Sequence, residues 1–330
     1  MIDPKISREF HEKRVVVTGG TGLIGRQVVE KLCNMGARVT CVSLDEIKTD
    51  HRAKKFVADL TDLSICRDLT KNADCVCHLA GIKGSVDVTR SMPASFLVPL
   101  LMMNTNVLEA CRLNEVQKVV YTSSIGAYAA SDVFREEDDS FNLPPMDEAP
   151  GWAKRMAELQ VLTYRQQFGL KNFAIVRPCN VYGPGDNFNP DNAMVIPTLI
   201  SRIVDGEDPV VVWGDGSAVR DFAYSADIAD GILLALHYGT RGSFVNLGSG
   251  QGYSISDLVD SLHEFLSFNH QFDLTRSAGF PRRVMDISRA RDWIGYHPKT
   301  SLRQGLEATY NWFIKNHDEG MRRKNYFRKD

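Results

Sequence analysis

The stretch VVVTGGTGLIG, residues 15–25, joins a run of β-branched residues to the start of an apolar helical pattern. Gly19, Gly22 and Gly25 stand at that junction. In a strand–turn–helix unit the first glycine permits a tight turn, the second lets backbone approach a pyrophosphate, and the third permits close packing of helix on strand. The helix N-terminus then faces the phosphates, so the stretch predicts a dinucleotide site. The other residues of this turn predicted to contact a dinucleotide are Thr21, Leu23 and Ile24.

Short β-branched runs continue along the chain after this turn, and helical segments separate most of them. They are RVTCVS (38–43), KKFVAD (54–59), CVCHLA (75–80), KVVYTSS (118–124) and FAIVRP (173–178). The first helix is expected to run from about Thr21 to Met35. Alternation of this kind predicts βαβ units and a parallel sheet that helices cover on both faces. The predicted fold class is α/β, a Rossmann-type doubly wound parallel sheet with a smaller C-terminal α/β lobe.

The pattern loosens after residue 180, where Gly and Pro become frequent in NVYGPGDNFNP and VVVWGDGSAVRDF. Residues 1–180 are predicted to form a dinucleotide-binding domain, with later segments at about 215–250 crossing back to it. Residues 181–330 are predicted to form mainly a substrate-binding lobe. The last helix is expected at about 301–315, with Ser301 as its cap.

Composition places the chain among ordinary globular proteins. Its 330 residues are 43% hydrophobic and 24% charged, and the net charge of −2 argues against general attraction to nucleic acid or anionic membrane. Seven Cys without framework spacing predict reduced thiols, and CVC at 75–77 is typical of a buried strand, so no metal site is predicted. The run FLVPLLMM at 96–103 is too short to span a bilayer. We expect a cytoplasmic protein without a nucleic-acid or membrane partner.

An acid that reads the cofactor's ribose is expected about 20 residues after the glycine turn. Asp45, in CVSLDEIK, stands at the end of the second predicted strand. A carboxylate there would accept both ribose hydroxyls and repel a 2′-phosphate, so NAD is favoured as cofactor, with NADP as the alternative. A solvated loop acid is the other interpretation of Asp45.

The chain resembles the extended short-chain dehydrogenase/reductases, the NAD(P)-dependent nucleotide-sugar epimerases and dehydratases, and within them the GDP-L-fucose synthases. The resemblance covers nearly all of residues 13–315. Its most specific marks are GGTGLIG, ADLTD, HLAG, YTSS, VRPCNVYGPGDNFNP, VWGDGSAVRDF and NLGSG. It implies an oxidoreductase or epimerase that acts on a nucleotide-sugar substrate and works as a homodimer.

The resemblance also implies roles for single residues. The expected cofactor contacts beyond the glycine turn and Asp45 are Asp59 and Leu60 at adenine, the loop Leu79, Ala80 and Gly81, and Pro178 near nicotinamide. Asn106 is expected to brace the cofactor loop after the fourth strand. Ser124 matches the catalytic hydroxyl, and Lys154 matches the Lys that holds the nicotinamide ribose. The expected substrate contacts are Lys83, Ser124, Asn180, Asn187, Val195, Arg220 and Arg282, of which Arg220 would pair with the diphosphate.

The chain departs from the family pattern at the proton donor. Pro150 stands four residues before Lys154, where the family carries a Tyr on the same helix face. Proline cannot exchange a proton, but it fits a first helical turn, and Asp147 is the expected cap of that helix. Met194 stands where the fucose synthases carry a His assigned to epimerisation, and Gly126 aligns with their reactive Cys.

Four explanations of the missing Tyr stay open. Another residue could exchange the proton: Tyr128, Cys179, Lys83, His78 or Lys154. Water could do so with Lys154 and Ser124, or unfamiliar groups could support a transient hydride transfer within an epimerisation. The protein could also bind cofactor and nucleotide sugar without turnover, as a sensor or a partner subunit.

Ordinary structural roles compete with several of these assignments. Lys83 could be a solvated loop residue, His78 a packed histidine, Cys179 an apolar filler and Tyr128 a packing residue. The apolar helices near 94–112 and 152–168 resemble a four-helix dimer interface, but they could also bury against the chain's own sheet.

Overall fold

The computed structural model describes residues 4–82, 84, 86–276 and 279–321. Within them the strands are β1 (Arg14–Thr18), β2 (Arg38–Ser43), β3 (Lys54–Val57), β4 (Cys75–His78), β5 (Lys118–Thr122), β6 (Val133–Phe134), β7 (Phe173–Pro178), β8 (Asn180–Tyr182), β9 (Val210–Trp213), β10 (Val219–Arg220), β11 (Phe222–Tyr224), β12 (Val245–Leu247), β13 (Tyr253–Ser254), β14 (His270–Asp273) and β15 (Arg282–Met285). The helices are α1 (Pro4–Phe10), α2 (Leu23–Asn34), α3 (Leu63–Thr70), α4 (Val86–Ser91), α5 (Pro93–Leu113), α6 (Glu148–Phe168), α7 (Val195–Val204), α8 (Ser225–Tyr238), α9 (Ile255–His263), α10 (Ser288–Ile294), α11 (Leu302–Lys315) and α12 (His317–Met321).

Seven parallel strands form the main sheet of the described residues, in the order β3-β2-β1-β4-β5-β7-β12. The order reverses beside β1, which lies between β2 and β4. Thr18 at the end of β1 is in register with Val42 and His78, so the strands end at one common edge. Ligands of open α/β sheets bind outside that edge, where the strand order reverses.

Helices cover both faces of the sheet. On one face α5 packs between α3 and α6, and on the other α8 packs against α2 and α10. The strands are buried on both sides because their β-branched runs are almost continuously apolar, as a parallel sheet requires. The α/β fold and its six predicted strands are therefore confirmed.

Two hydrophobic clusters account for the buried core of the described residues. One draws on residues 6–179, 223–247 and 285–296 and surrounds the main sheet. The other draws on residues 182–222, 255–262 and 302–313, and it packs α7, α9 and α11 around β9. A separate four-stranded sheet, β13-β10-β15-β6, brings β10 next to β15.

Several local expectations can be compared with the structure. Helix α2 begins at Leu23, not at Thr21, because Gly22 is its N-cap and Thr21 belongs to the turn. Ser301 caps α11 as predicted, in a capping box with Gln304. The apolar run 96–103 belongs to α5, whose length and composition would allow a membrane span. Its apolar side chains are partly buried inside the fold, with Phe96, Leu100, Val107 and Leu108 against the core.

A buried ion pair ties α6 to the sheet. Arg177 on β7 donates to both carboxylate oxygens of Glu158 on α6, at 2.8 and 2.6 Å, and to Asp139 at 3.0 Å. The guanidinium also lies 4.2 Å from the centre of the Tyr128 ring. Arg177 is 1% exposed, so these partners replace its water. The pair fixes the helix that carries Lys154.

We predict that Glu158→Gln lowers the free energy of unfolding by about 3 kcal/mol, because the change removes the bidentate counter-charge of a buried guanidinium and leaves it only Asp139. The measurement is urea denaturation. Glu137→Gln is the matched control, since Glu137 is exposed and its pair with Arg289 spans 3.4 Å at the surface; a change within about 0.5 kcal/mol is expected there. Equal losses in the two variants would contradict this account of the pair.

Candidate functional site

The glycine turn adopts the geometry that its sequence predicts. Gly19 has φ +67°, and a Cβ there would stand 2.8 Å from the Ala80 backbone. A Cβ on Gly25 would lie 2.1 Å from the Gly19 carbonyl oxygen, so no larger residue fits while α2 packs this closely. Gly22 places no side chain over the start of α2. The N-terminal end of α2 is therefore open to an anion at the sheet edge.

Asp45 lies against this turn. Its carboxylate accepts the Thr21 hydroxyl at 3.1 Å and the Ile47 N–H at 3.1 Å, and the Ser43 hydroxyl oxygen accepts the Thr21 N–H at 3.2 Å. Asp45 is half-buried, so part of it faces solvent beside the turn. This position suits an acid that reads a ribose next to a pyrophosphate.

The loop after β4 joins the glycine turn through Thr18. The Thr18 hydroxyl oxygen accepts the N–H groups of Leu79 and Ala80, both at 3.2 Å. Gly81 then passes α6, and a Cβ built on it would lie 3.7 Å from Lys154 Nζ. Leu79, Ala80 and Gly81 thus connect the glycine turn with Lys154. Lys83 lies outside the described residues, and its assignment stays a prediction.

The two residues predicted to contact adenine, Asp59 and Leu60, follow β3. Asp59 is exposed and accepts both the N–H and the hydroxyl of Thr61 at 2.9 Å, whereas Leu60 is buried. The Asn106 amide donates to the carbonyls of Leu60 and Thr61, at 3.3 and 2.8 Å. Asn106 therefore braces the segment after β3, not the loop after β4 where the resemblance places its role.

Lys154 reaches the end of β5, two residues before Ser124. Lys154 Nζ donates to the Thr122 carbonyl at 2.7 Å and lies 5.3 Å from the centre of the Tyr121 ring. Burial lowers the pKa of Lys154 to about 8, against the opposing attraction of Glu158. The Ser124 oxygen accepts the Gly126 N–H at 3.0 Å and caps a short 3₁₀ turn. A hydroxyl that accepts one bond can still donate its proton to a ligand.

Three of the candidate proton donors are buried and pack within the fold. Tyr128 is buried, its hydroxyl donates to Asn246 at 2.9 Å, and burial raises its pKa far above the usual value. Cys179 is buried, its thiol contacts Asp221 at 3.5 Å, and burial raises its pKa as well. His78 is buried between Thr18 and Asn104, and burial lowers its pKa to about 3, so it stays neutral. The structure brings none of these side chains to Ser124.

Pro150 lies in the first turn of α6, where its missing N–H leaves no helical bond unmade. Asp147 is the N-cap residue of α6, as expected, but its side chain accepts no N–H of that helix. Its carboxylate is turned toward Gly126 instead, and a Cβ on Gly126 would lie 2.0 Å from Asp147 Oδ2. Glu148, the next residue, has φ +45°.

Two arginines of the second sheet lie side by side next to this carboxylate. Arg220 on β10 is in register with Arg283 on β15, and Arg283 Nη1 lies 3.8 Å from Asp147 Oδ1. Burial lowers the pKa of Arg220 to about 10, with a further contribution from Arg283. Arg220 and Arg283 are both partly buried, and guanidinium groups can bind the oxygens of a diphosphate bidentately. Arg282, the residue taken from the sequence, is exposed and points toward Gly252.

The remaining predicted contacts lie along β7, β8 and α7. Pro178 is buried at the end of β7 and is in register with Leu247. The Asn180 amide donates to the Asp221 carbonyl at 3.1 Å, which fixes β8 against β11. The Asn187 side-chain oxygen accepts the Asn189 N–H at 3.0 Å. Val195 is the first residue of α7 and is half-buried.

Sequence reasoning missed Asp147 and Arg283. Successive residues of a strand face opposite sides, so only one of Arg282 and Arg283 can accompany Arg220. The sequence RRVMD does not say which. The sequence feature that could have pointed to Asp147 is the combination of Gly126 and Pro150. At both positions the family pattern has a reactive side chain that this chain lacks, and both lie in one small region.

The comparisons with known proteins agree with this geometry. The family model of the NAD-dependent epimerases and dehydratases matches residues 15–248. The chain belongs to this family. GDP-L-fucose synthase 1 of Arabidopsis thaliana is 31% identical over 323 residues, which are 92% of this chain and 94% of the relative.

Solved structures of family members superpose along nearly the whole chain. An epimerase of Methanothermobacter thermautotrophicus has a TM-score of 0.84 at 26% identity, over 95% of this chain and 96% of that one. MoeE5, solved with UDP-glucuronic acid and NAD, has a TM-score of 0.80 at 29% identity. The match covers 92% of this chain and 99% of MoeE5. The predicted resemblance to nucleotide-sugar epimerases and dehydratases is confirmed.

The residues present fit a dinucleotide. The cradle at Gly19 and Gly25 would be filled by any Cβ, the start of α2 has no side-chain cap, and Asp45 stands at the ribose side. Lys154, whose Nζ lies at the Thr122 carbonyl at the end of β5 of the same sheet, would hold the second ribose. When bound, the nicotinamide would supply a hydride acceptor or donor there.

We predict that Lys154 titrates near pH 8 in the folded protein, against about 10.4 for an unfolded chain. NMR of ¹³C-labelled lysine side chains would follow it, and Lys154→Met identifies the signal by its loss. Between these two pKa values the unfolded chain holds more protons, so the lysine makes the free energy of unfolding rise with pH relative to the Met variant. A midpoint above pH 10 would show that the ammonium is solvated.

Proposed function

We propose that the protein is an NAD-dependent nucleotide-sugar oxidoreductase or epimerase whose acid–base chemistry does not use the family's Tyr. The observation that carries the proposal is that the two sheets bring the candidate groups near one another: Asp147 lies between Arg283, which is in register with Arg220, and Gly126, whose N–H donates to Ser124. Lys154 donates to the Thr122 carbonyl, two residues before Ser124. Lys154 would hold the nicotinamide ribose, and Ser124 would donate a hydrogen bond to a sugar oxygen. The two arginines would bind the diphosphate bidentately.

NAD is the proposed cofactor, and NADP is the alternative. A half-buried carboxylate at Asp45, held by Thr21, supports NAD because it would repel a 2′-phosphate. The structure of MoeE5 contains NAD, which is consistent with this choice. A GDP-sugar is the proposed substrate class, supported by the likeness to a GDP-L-fucose synthase, whereas MoeE5 was solved with a UDP-sugar.

We propose the division of the chain that its sequence suggests. Residues 1–180 would bind the dinucleotide, with the segment at about 215–250 crossing back, and residues 181–330 would contribute most of the nucleotide-sugar contacts. Segment 223–247 belongs to the core around the main sheet, which supports the crossing. A cytoplasmic location also remains a proposal.

A protein that binds both ligands without turnover is the second candidate. The observation that favours it is Pro150, which has no proton to exchange at the position of the family's Tyr. Such a protein would serve as a sensor or as the silent partner of a related enzyme. Its ligand contacts would be the same, so only a test for turnover separates the two.

We predict hydride transfer with at least one member of a panel of GDP-, UDP-, CDP- and dTDP-sugars. The measurement is absorbance of reduced nicotinamide at roughly 340 nm, with NMR and mass spectrometry of the product sugar. Ser124→Ala should slow turnover by about 100-fold, and Lys154→Met should weaken cofactor binding as well as turnover. Tight binding of NAD and a sugar, with no product from any panel member, would establish the sensor function instead.

A second copy of the chain is the proposed partner. The two neighbouring helices α5 and α6 expose Val98 and Met102 on one and Leu159 and Leu162 on the other. These spacings place each pair on one helix face. Pairing with the same face of a second copy would bury all of them in a four-helix bundle.

We predict that Met102→Glu combined with Leu159→Glu makes the protein monomeric, because charges would then be buried at the interface. Size-exclusion chromatography with light scattering measures this directly. Ile314→Glu is the matched control, because Ile314 is exposed on α11, away from the α5–α6 face, and the variant should stay dimeric. A monomeric wild type, or a dimer that survives the double change, would contradict the assignment.

A further inference from the structure

Asp147 is placed between the two halves of the site. On one side its Oδ2 lies over Gly126, whose N–H is held by Ser124. On the other side its Oδ1 lies 3.8 Å from Arg283, which is in register with Arg220. A sugar that joins a diphosphate on the arginines to a nicotinamide beside Lys154 and Ser124 must pass this carboxylate.

The backbone holds Asp147 in this position. Its N–H donates to the Gly126 carbonyl at 3.2 Å, and the Met146 N–H donates to Tyr128 at 2.7 Å. Helix α6 follows closely because Gly151 has no Cβ, which would otherwise lie 2.6 Å from the Gly126 carbonyl oxygen. The left-handed Glu148 lies where the chain turns into the helix, a conformation uncommon for a residue with a side chain. The carboxylate therefore has a defined direction.

A side chain at position 126 and the observed position of the Asp147 carboxylate exclude one another. Any side chain at 126 would start 2.0 Å from Asp147 Oδ2. The space that a residue at 126 would fill is occupied by a carboxylate from the start of α6. That carboxylate comes from the residue three positions before Pro150, on the segment that leads into the same helical turn.

The surroundings of Asp147 suit a group that exchanges protons. Its side chain is 41% exposed and caps no helix N–H. Its charged neighbour among the described residues, Arg283, is beyond hydrogen-bond distance. Partial shielding of the Asp147 side chain from water by the surrounding protein raises its pKa above the usual value, while Arg283 opposes the shift. A carboxyl with a raised pKa is a better proton acceptor at neutral pH than an ordinary one.

We propose that Asp147 is the catalytic acid–base residue that exchanges a proton with the sugar in place of the family's Tyr. In the oxidising direction the sugar O–H bond breaks and its proton moves to the Asp147 carboxylate. The hydrogen on the same carbon leaves with its electron pair to the oxidised nicotinamide, and the alcohol becomes a ketone. In the reducing direction protonated Asp147 returns the proton to the oxygen as the C–H bond forms. This step rests on the proposed function.

Three variants test this assignment. For each of them, stopped-flow spectroscopy measures the rate of hydride transfer with the panel sugar that the wild-type protein converts. Asp147→Asn keeps size and polarity but cannot accept a proton, and it should slow transfer by about 100-fold or more. Gly126→Ala leaves the carboxylate chemically intact but displaces it, and it should slow transfer similarly. Glu148→Gln removes an exposed carboxylate one residue away and should change the rate by less than twofold.

Binding and crystallography supply the readouts besides rate. Calorimetry with NAD, and with UDP-glucose or GDP-mannose as probes, should give dissociation constants for Asp147→Asn within about threefold of wild type. A crystal structure with NAD and the bound probe should show a sugar hydroxyl within about 3 Å of Asp147.

The outcomes separate this proposal from the proposed function. Wild-type turnover that Asp147→Asn and Gly126→Ala both retain would overturn the role of Asp147 and leave the function standing. Failure of wild type to transfer hydride to any panel member would overturn the function. A complex in which the sugar lies away from Asp147 would overturn the present proposal whatever the turnover. If Asp147→Asn fails to fold, Gly126→Ala and the wild-type complex decide.

Discussion

A buried chain of hydrogen bonds that starts at Thr18 holds the two ends of the site together. The Thr18 hydroxyl bonds His78 Nδ1 at 2.7 Å, and His78 Nε2 bonds the Asn104 oxygen at 2.9 Å. The Asn104 amide donates to the Tyr121 hydroxyl at 3.2 Å, which in turn lies 3.5 Å from the Lys154 carbonyl. Every donor has one acceptor if His78 carries its proton on Nε2. Burial lowers the pKa of His78 to about 3, so the ring is neutral at neutral pH and the chain keeps the same donors and acceptors there.

The sequence predicts those parts of the fold that depend on local pattern. The glycine turn, the strands and the capped helix α11 each follow from residues within one or two helical turns, so pattern alone places them. The position of Ser124 follows because it stands just after a strand that the sheet orders, and that of Lys154 because it lies near the start of the helix α6. The orientation of a single side chain depends on strand register, which is why Arg283 rather than Arg282 accompanies Arg220. A register shift of one residue exchanges the two.

Asp147 shows that local sequence pattern also fails to predict the orientation of a side chain at the start of a helix. As a residue type just before a helix, Asp is most often a cap, because its oxygen can accept an otherwise unpaired N–H. Here Gly126 leaves a space beside it, and the carboxylate lies in that space instead. The competing contact is 21 residues away in sequence, so no local rule could weigh it. Tyr128 and Cys179 illustrate the reverse, since both stand near strand ends yet lie in the core.

Arg283 couples the two halves of the site electrostatically. In the protein without ligand, the charge of Arg283 acts on both Arg220 and Asp147. It disfavours the charged form of Arg220 and favours the ionised form of Asp147. A diphosphate bound to the arginines would neutralise that charge and remove the attraction that favours ionised Asp147. The pKa of the carboxyl would then rise further, since burial already raises it and the sugar excludes more water. The group at Asp147 would thus become a better proton acceptor only after the nucleotide sugar has bound, which confines its chemistry to the complex.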